Sequence, residues 1–113
     1  MKTFLVLTAA LMIGATAVAA PAADSTASFK VSGNCGMCKS RVEKAAKAAG
    51  AKWAVWNEET KLMEVKFKPG KTSTDKLQAA VAKSGHDTES HKAPNDVYAA
   101  LPGCCLYRDG NNH

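Results

Sequence analysis

No glycine-rich phosphate loop, no Ser-His-Asp constellation and no paired-carboxylate site occurs in the 113 residues, so the usual groups for acid–base, nucleophilic and phosphoryl chemistry are missing. A binding protein, not an enzyme, is expected. Lys and Arg outnumber Asp and Glu by 15 to 10, yet no basic run is interleaved with aromatics, which argues against nucleic-acid binding. The scattered charges read as a solvated surface or as a docking face for an acidic partner. Only one long apolar run is present, residues 4–13 broken by Thr8, and it falls short of the about 20 residues a membrane-spanning helix needs. The chain is not expected to span a membrane.

That run has the character of a secretory signal, with Lys2 as its basic flank and Ala17-Val18-Ala19 as small residues for cleavage. Pro21 disfavours cutting after Ala20 relative to Ala19 or Ala23. Residues 1–20 are therefore assigned to a signal peptide and 21–27 to a linker, with no cysteine there to carry a lipid. An exported protein is expected, periplasmic in a Gram-negative host. Roughly 90 residues remain, enough for one small domain with a thin core. Losing Lys2 lowers the formal charge from +5 to +4, so this part stays basic.

Cysteine is concentrated in two places, Cys35-Gly36-Met37-Cys38 and Cys104-Cys105. The first pair follows a short alternating run at 28–33 and precedes an amphipathic stretch at 36–49, which puts it at a strand-to-helix junction. On a helical turn, residues three apart have Cβ atoms about 5–6 Å apart, so both sulfurs can reach one ion. Gly50 stops the helix. Residues 52–57 form a second strand, Glu58-Glu59-Thr60-Lys61 its turn, and 62–68 a third strand with Met63, Val65 and Phe67 alternating against Glu64, Lys66 and Lys68. Ser73 or Thr74 caps a second helix through Lys83, with Leu77, Ala80 and Val81 inward and Ser84-Gly85 at its end. The polar segment 86–92 is a candidate last strand at a sheet edge.

This βαββαβ order, with Gly33-Asn34-Cys35-Gly36-Met37-Cys38 in the first β-to-α loop, resembles the heavy-metal-associated domain family, found in copper and mercury chaperones and in the N-terminal regions of metal-transporting P-type ATPases. The resemblance covers residues 28–93 and leaves 94–113 as a C-terminal tail. It implies an α+β, ferredoxin-like sandwich: an antiparallel four-stranded sheet with two helices on one face. It also implies soft-metal binding by Cys35 and Cys38. Members usually carry Gly-Met-Thr before the first cysteine, where this chain has Ser32-Gly33-Asn34, so a loop-anchoring methionine is missing. The family pattern turns Ala54 and Trp56 toward the core and leaves Trp53 outside.

Thiolate chemistry supports metal binding independently. Soft thiolates select Cu(I), Zn(II) or Hg(II), and bonds of about 2.3 Å place sulfurs facing each other across one ion about 4.5 Å apart. Two ligands are fewer than a structural zinc site uses, which favours low-coordinate Cu(I), with Hg(II) or Zn(II) as alternatives. Charge from the helix N-terminus, Lys39 and Arg41 is expected to lower the thiol pKa values and stabilise an anionic bis-thiolate. An exposed site of this kind lets an incoming thiol take the ion. The expected protein is a monomeric or weakly metal-bridged metallochaperone serving a metal-transporting membrane ATPase or efflux component. Mercury scavenging is an alternative within the same chemistry.

Other readings stay open. Cys35 and Cys38 can close a small structural disulfide or act as a thiol-disulfide oxidoreductase, although no tryptophan precedes them and the β–α units are wrongly ordered for a thioredoxin fold. His86 is a candidate third ligand, a donor to a thiolate, or a surface residue; Met37 is a candidate thioether ligand or a packing residue. His91 and His113 are assigned no role. In the tail, 96–101 forms a short helix that lays Val97, Tyr98 and Leu101 on the domain. Cys104 and Cys105 are then candidates for extra ligands, a second ion, a vicinal disulfide, or exchange with Cys35 and Cys38.

Overall fold

The computed structural model describes residues 23–109; the expected signal peptide at 1–20 and His113 lie outside the described residues. Alternation builds the sheet. In β3 (Leu62–Phe67) Met63, Val65 and Phe67 are buried while Leu62, Glu64 and Lys66 face outward, as the period of two requires. This strand is central, with β1 (Ser25–Lys30) on one side and β2 (Trp53–Trp56) on the other, both antiparallel to it. The register sets Phe29 and Trp56 on either side of Met63, so three large side chains form one row across the buried face. Trp56 and Ala54 point inward and Trp53 is exposed.

Two helices cover that face. In α1 (Gly36–Ala48) the buried residues Cys38, Val42 and Ala46 recur every four positions, the stripe of a helix packed on one side. α2 (Thr74–Lys83) is capped by Ser73, whose hydroxyl accepts from the Lys76 N–H at 3.2 Å, and it buries Leu77 and Val81. Gly85, which follows α2, has φ +113°, a conformation that side chains rarely adopt, and a Cβ there would lie 2.8 Å from Leu101 Cδ2. The turn therefore makes room for the tail. Among the described residues, no helix is long and apolar enough to cross a membrane.

Two expectations need correction. β1 starts at Ser25 instead of residue 28, because Ser25 pairs with Phe67 at the end of β3 and draws part of the expected linker into the sheet. Among the described residues the sheet has three strands, where four were expected. Segment 86–92 does run beside β1, with Ser32 N–H donating to Asp87 O at 2.8 Å and Glu89 N–H to Lys30 O at 3.1 Å, but it forms only one isolated bridge, Val31 to Thr88. The Thr88 N–H then donates to His91 O at 2.7 Å and closes a turn. Local polar bonding takes the donors a strand ladder would use.

The tail docks as a unit. α3 (Asn95–Ala99) buries Tyr98, and Leu101 is buried beyond it. Arg108 donates through Nε and Nη2 to the two Asp87 oxygens at 3.0 and 2.6 Å, through Nη2 to Ala93 O at 2.9 Å and through Nη1 to Asn95 Oδ1 at 3.0 Å. Its guanidinium lies 4.4 Å from the Tyr98 ring centre. Tyr107 donates to Gly85 O and accepts from the Asp87 N–H, both at 2.7 Å. Burial alone raises the Asp87 carboxyl, but Arg108 and the Ala93 N–H outweigh it and hold the group below its usual value.

A carboxyl held lower in the folded chain than in the unfolded one stabilises the fold above its unfolded pKa of about 4, and that contribution disappears as pH falls through the folded value. Asp87→Asn is therefore expected to cost about 1–3 kcal/mol at pH 7, the range for a hydrogen-bonded charge. Thermal melts of both proteins between pH 7 and pH 3 should show the gap closing as the pH drops. A gap of constant size rules out Asp87 as the tail's anchor.

Candidate metal centre

Cys35 is the N-cap of α1 with extended backbone (φ −147°), and its side chain caps no helix N–H through oxygen as a serine would. Cys38 lies in the first turn, on the same stripe as Val42 and Ala46, and is fully buried. The two sulfurs are 3.5 Å apart. A one-turn 3₁₀ helix at Gly103–Cys105 brings the second pair to the same place. Cys35 Sγ lies 3.4 Å from Cys104 Sγ and 3.7 Å from Cys105 Sγ, and the tail sulfurs are 3.8 Å from each other. The sulfurs of Cys35, Cys38 and Cys105 all fall within 4.8 Å of one another. All four cysteines are free thiols.

The surroundings divide by charge and exposure. Arg41 donates from Nη1 to Cys105 Sγ at 3.4 Å, so its charge sits on the buried side of the group. Lys39 points elsewhere: its ammonium is paired with Glu43 and donates to Trp56 O at 3.0 Å. The expectation that Lys39 tunes the thiols is therefore corrected, since Glu43 neutralises it. Met37 is 53% exposed, and its sulfur is 3.6 Å from Cys104 Sγ.

Thiol acidity is uneven across the group. Burial pushes Cys35 up, but the Cys38 N–H and the thiols of Cys104, Cys38 and Cys105 more than offset this, bringing it down to about 7. Cys104 is raised by its contact with Cys35, and Cys105 is raised by burial first and by its contact with Cys38 next. One sulfur is therefore ready to ionise near neutral pH, and its neighbours supply hydrogen bonds to it. The expected lowering holds at Cys35, whereas the tail thiols Cys104 and Cys105 are raised.

His86 is not a member of the close sulfur group. Its ring is fully buried, stacks on Tyr107 at 5.4 Å between centroids, and places Nδ1 2.8 Å from Ser32 O. The carbonyl can only accept, so Nδ1 carries the proton; burial, the largest cause, lowers the ring's pKa and keeps it neutral. His86 braces the strand that leads into the cysteine loop. His91 pairs with Asp75 at 2.8 Å.

Sequence reasoning missed Lys61. This residue adopts φ 64°, donates from Nζ to Gly33 O at 2.7 Å, and holds its ammonium 5.4 Å from the Trp56 ring centre. It ties the β2–β3 turn to the cysteine loop, and a lysine at the end of a polar turn gives no local sign of that reach. The expectation of an open two-sulfur site is also corrected. With Cys38 and Cys105 buried, the tail covers one side and only Cys35, Cys104 and Met37 face outward in part.

No protein-family model and no curated protein matches the chain. Several solved structures do. The CopZ metallochaperone is 30% identical, with 57% of this chain covering 98% of that one at a TM-score of 0.54. Oxidized MerP from Ralstonia metallidurans CH34 is 32% identical over 59% of this chain and 96% of that one, with a TM-score of 0.56. The N-terminal domain of a potential copper-translocating P-type ATPase from Bacillus subtilis, in its Cu(I)-loaded state, is 28% identical over 58% and 85%, with a TM-score of 0.55.

Proposed function

The chain belongs to the heavy-metal-associated domain family, and on that premise we propose that it is an exported, periplasmic carrier that takes up a thiophilic ion, Cu(I), and passes it on by thiolate exchange. The observation that carries this reading is the convergence of Cys35 with three other thiols at 3.4 to 3.7 Å. Sulfur donors without carboxylates select soft ions over hard ones. The low Cys35 pKa supplies a thiolate to begin uptake, and Met37 and Cys104 offer soft donors on the outer side. Cu(I) carries one charge and tolerates two or three sulfurs, which suits a site whose ligands are exchanged one at a time.

The acceptor in this reading is a metal-transporting membrane ATPase or an efflux component, whose own thiols complete the exchange. A domain of such an ATPase is among the similar structures. Hg(II) capture is the second reading, supported by the similarity to MerP. Anaerobic titration of the reduced protein with Cu(I), Hg(II) and Zn(II), each against a competing chelator, separates these. One Cu(I) per chain, held many orders of magnitude more tightly than Zn(II), is the expected result. Catalytic turnover of a disulfide substrate with no tight ion uptake would replace the carrier with an oxidoreductase.

A further inference from the structure

The sulfur group holds more donors than a two-coordinate carrier uses. With bonds of about 2.3 Å, a linear ion needs its two sulfurs about 4.6 Å apart, whereas a trigonal ion needs three sulfurs about 4.0 Å apart. Cys35 lies 3.5 Å from Cys38 and 3.7 Å from Cys105, nearer the trigonal spacing. Cys38 and Cys105 are both fully buried, so an ion between them is screened from solvent on that side. The Arg41 guanidinium at Cys105 supplies a counter-charge to a negatively charged site. The tail reaches this position through the Arg108–Asp87 and Tyr107–Gly85 bonds, which involve no sulfur. Cys104 is equally near, 3.4 Å from Cys35 and 3.8 Å from Cys105, but it is only partly buried and lies 3.6 Å from the half-exposed Met37, which puts it on the outer side of the group.

We propose that the C-terminal segment is a resident lid that supplies the cargo's third ligand: Cys105 joins Cys35 and Cys38 in an inner three-thiolate site for Cu(I) or Hg(II), and Cys104 with Met37 forms the outer position through which the ion leaves. This rests on the carrier reading. During loading, Cys35, Cys38 and Cys105 each form one metal–sulfur bond and each release one proton to solvent, and the ion keeps its oxidation state. During release the Cys38 and Cys105 bonds break and both sulfurs regain protons. A bond to Cys104, which gives up its proton, and then one to an acceptor thiolate take their place. Cys35 belongs to both positions and keeps the ion attached between them, until a second acceptor thiolate bonds the ion, the Cys104 and Cys35 bonds break and both sulfurs regain protons.

X-ray absorption on the full chain loaded with one equivalent of Cu(I) is expected to show three sulfur neighbours, and Cys105→Ser two. The same substitution should weaken Cu(I) binding against a chelator by more than the about 10–100-fold that loss of a partner behind the ligands costs. Cys104→Ser and Met37→Leu should slow transfer to a thiol acceptor about tenfold, and by more than either weakens Cu(I) binding, since exchange depends on access of the incoming sulfur. Two sulfurs in the unsubstituted protein, or unchanged affinity in Cys105→Ser, overturns the lid while tight uptake keeps the carrier. The unsubstituted protein's sulfur count decides this even if the buried Cys105 position tolerates no change. An unchanged transfer rate in both outer variants overturns the exit position. No uptake of any thiophilic ion overturns the carrier itself.

Discussion

Replacing Cys35 with serine is expected to weaken Cu(I) binding by at least a thousandfold, about 4 kcal/mol at 1.4 kcal/mol per tenfold step. Cys35 is the hub of the group, lying 3.5, 3.4 and 3.7 Å from the sulfurs of Cys38, Cys104 and Cys105. Its loss removes the one donor that every arrangement of the ion uses. It is also the thiol held at about 7, while Cys104 and Cys105 are raised, so the readiest thiolate goes with it. A serine hydroxyl is hard and does not ionise near neutral pH. The fold should survive, because Cys35 is the α1 N-cap and serine is favoured at such positions, its oxygen accepting from a first-turn N–H. An unchanged or slightly higher melting temperature beside lost affinity would separate binding from folding. A loss of only a few-fold in chelator competition would mean that Cys38 and Cys105 hold the ion without it.

The parts of this site that were legible in the sequence are those set by local chemistry. Alternation identified the inward residues of β2 and β3, Ser73 and the glycine-bearing turns bounded the helices, and the C-x-x-C spacing placed two thiols at the start of α1. The burial of Cys38 was legible too, since 38, 42 and 46 form one stripe, but reading the cysteines only as an exposed pair obscured it. The fate of segment 86–92 was hidden because it depends on competition. Asp87 and Thr88 have β-edge options, but Arg108, Ala93 and His91 claim their groups. The meeting of Cys105 with Cys35 joins residues 70 apart and depends on the Arg108 and Tyr107 contacts, which no local pattern encodes. Tail docking could be anticipated from Tyr98 and Leu101; the exact partners of each sulfur could not.

Trp56→Ala is expected to be the most destabilising single change, at about 3–5 kcal/mol. Domains of this size are stable by only about 0.05–0.15 kcal/mol per residue, so that loss is a large share of the whole. The ring is 1% exposed, stands beside Met63 in the register, and donates from Nε1 to Val31 O at 2.9 Å. It is also the floor of the cysteine loop: a Cβ on Gly33 would meet Trp56 Cη2 at 3.0 Å and Cys38 Cβ at 3.1 Å, so ring, loop glycine and ligand are in mutual contact. Removing it leaves a cavity under Cys38 and strands the Val31 carbonyl. Trp56→Phe keeps much of the volume but not the donor, and should cost about 1–3 kcal/mol for the unpartnered acceptor. Trp53→Ala, at an exposed position on the outer face, should stay within about 0.5 kcal/mol. Urea denaturation followed by circular dichroism should rank the three variants in that order. Saturating Cu(I) should then recover part of the Trp56→Phe loss, since an ion bound only by the folded chain adds RT ln(1 + [L]/Kd). Equal losses at Trp53 and Trp56 would show that the ring does not support the loop, and the ligand positions would have to be held by the helix and tail alone.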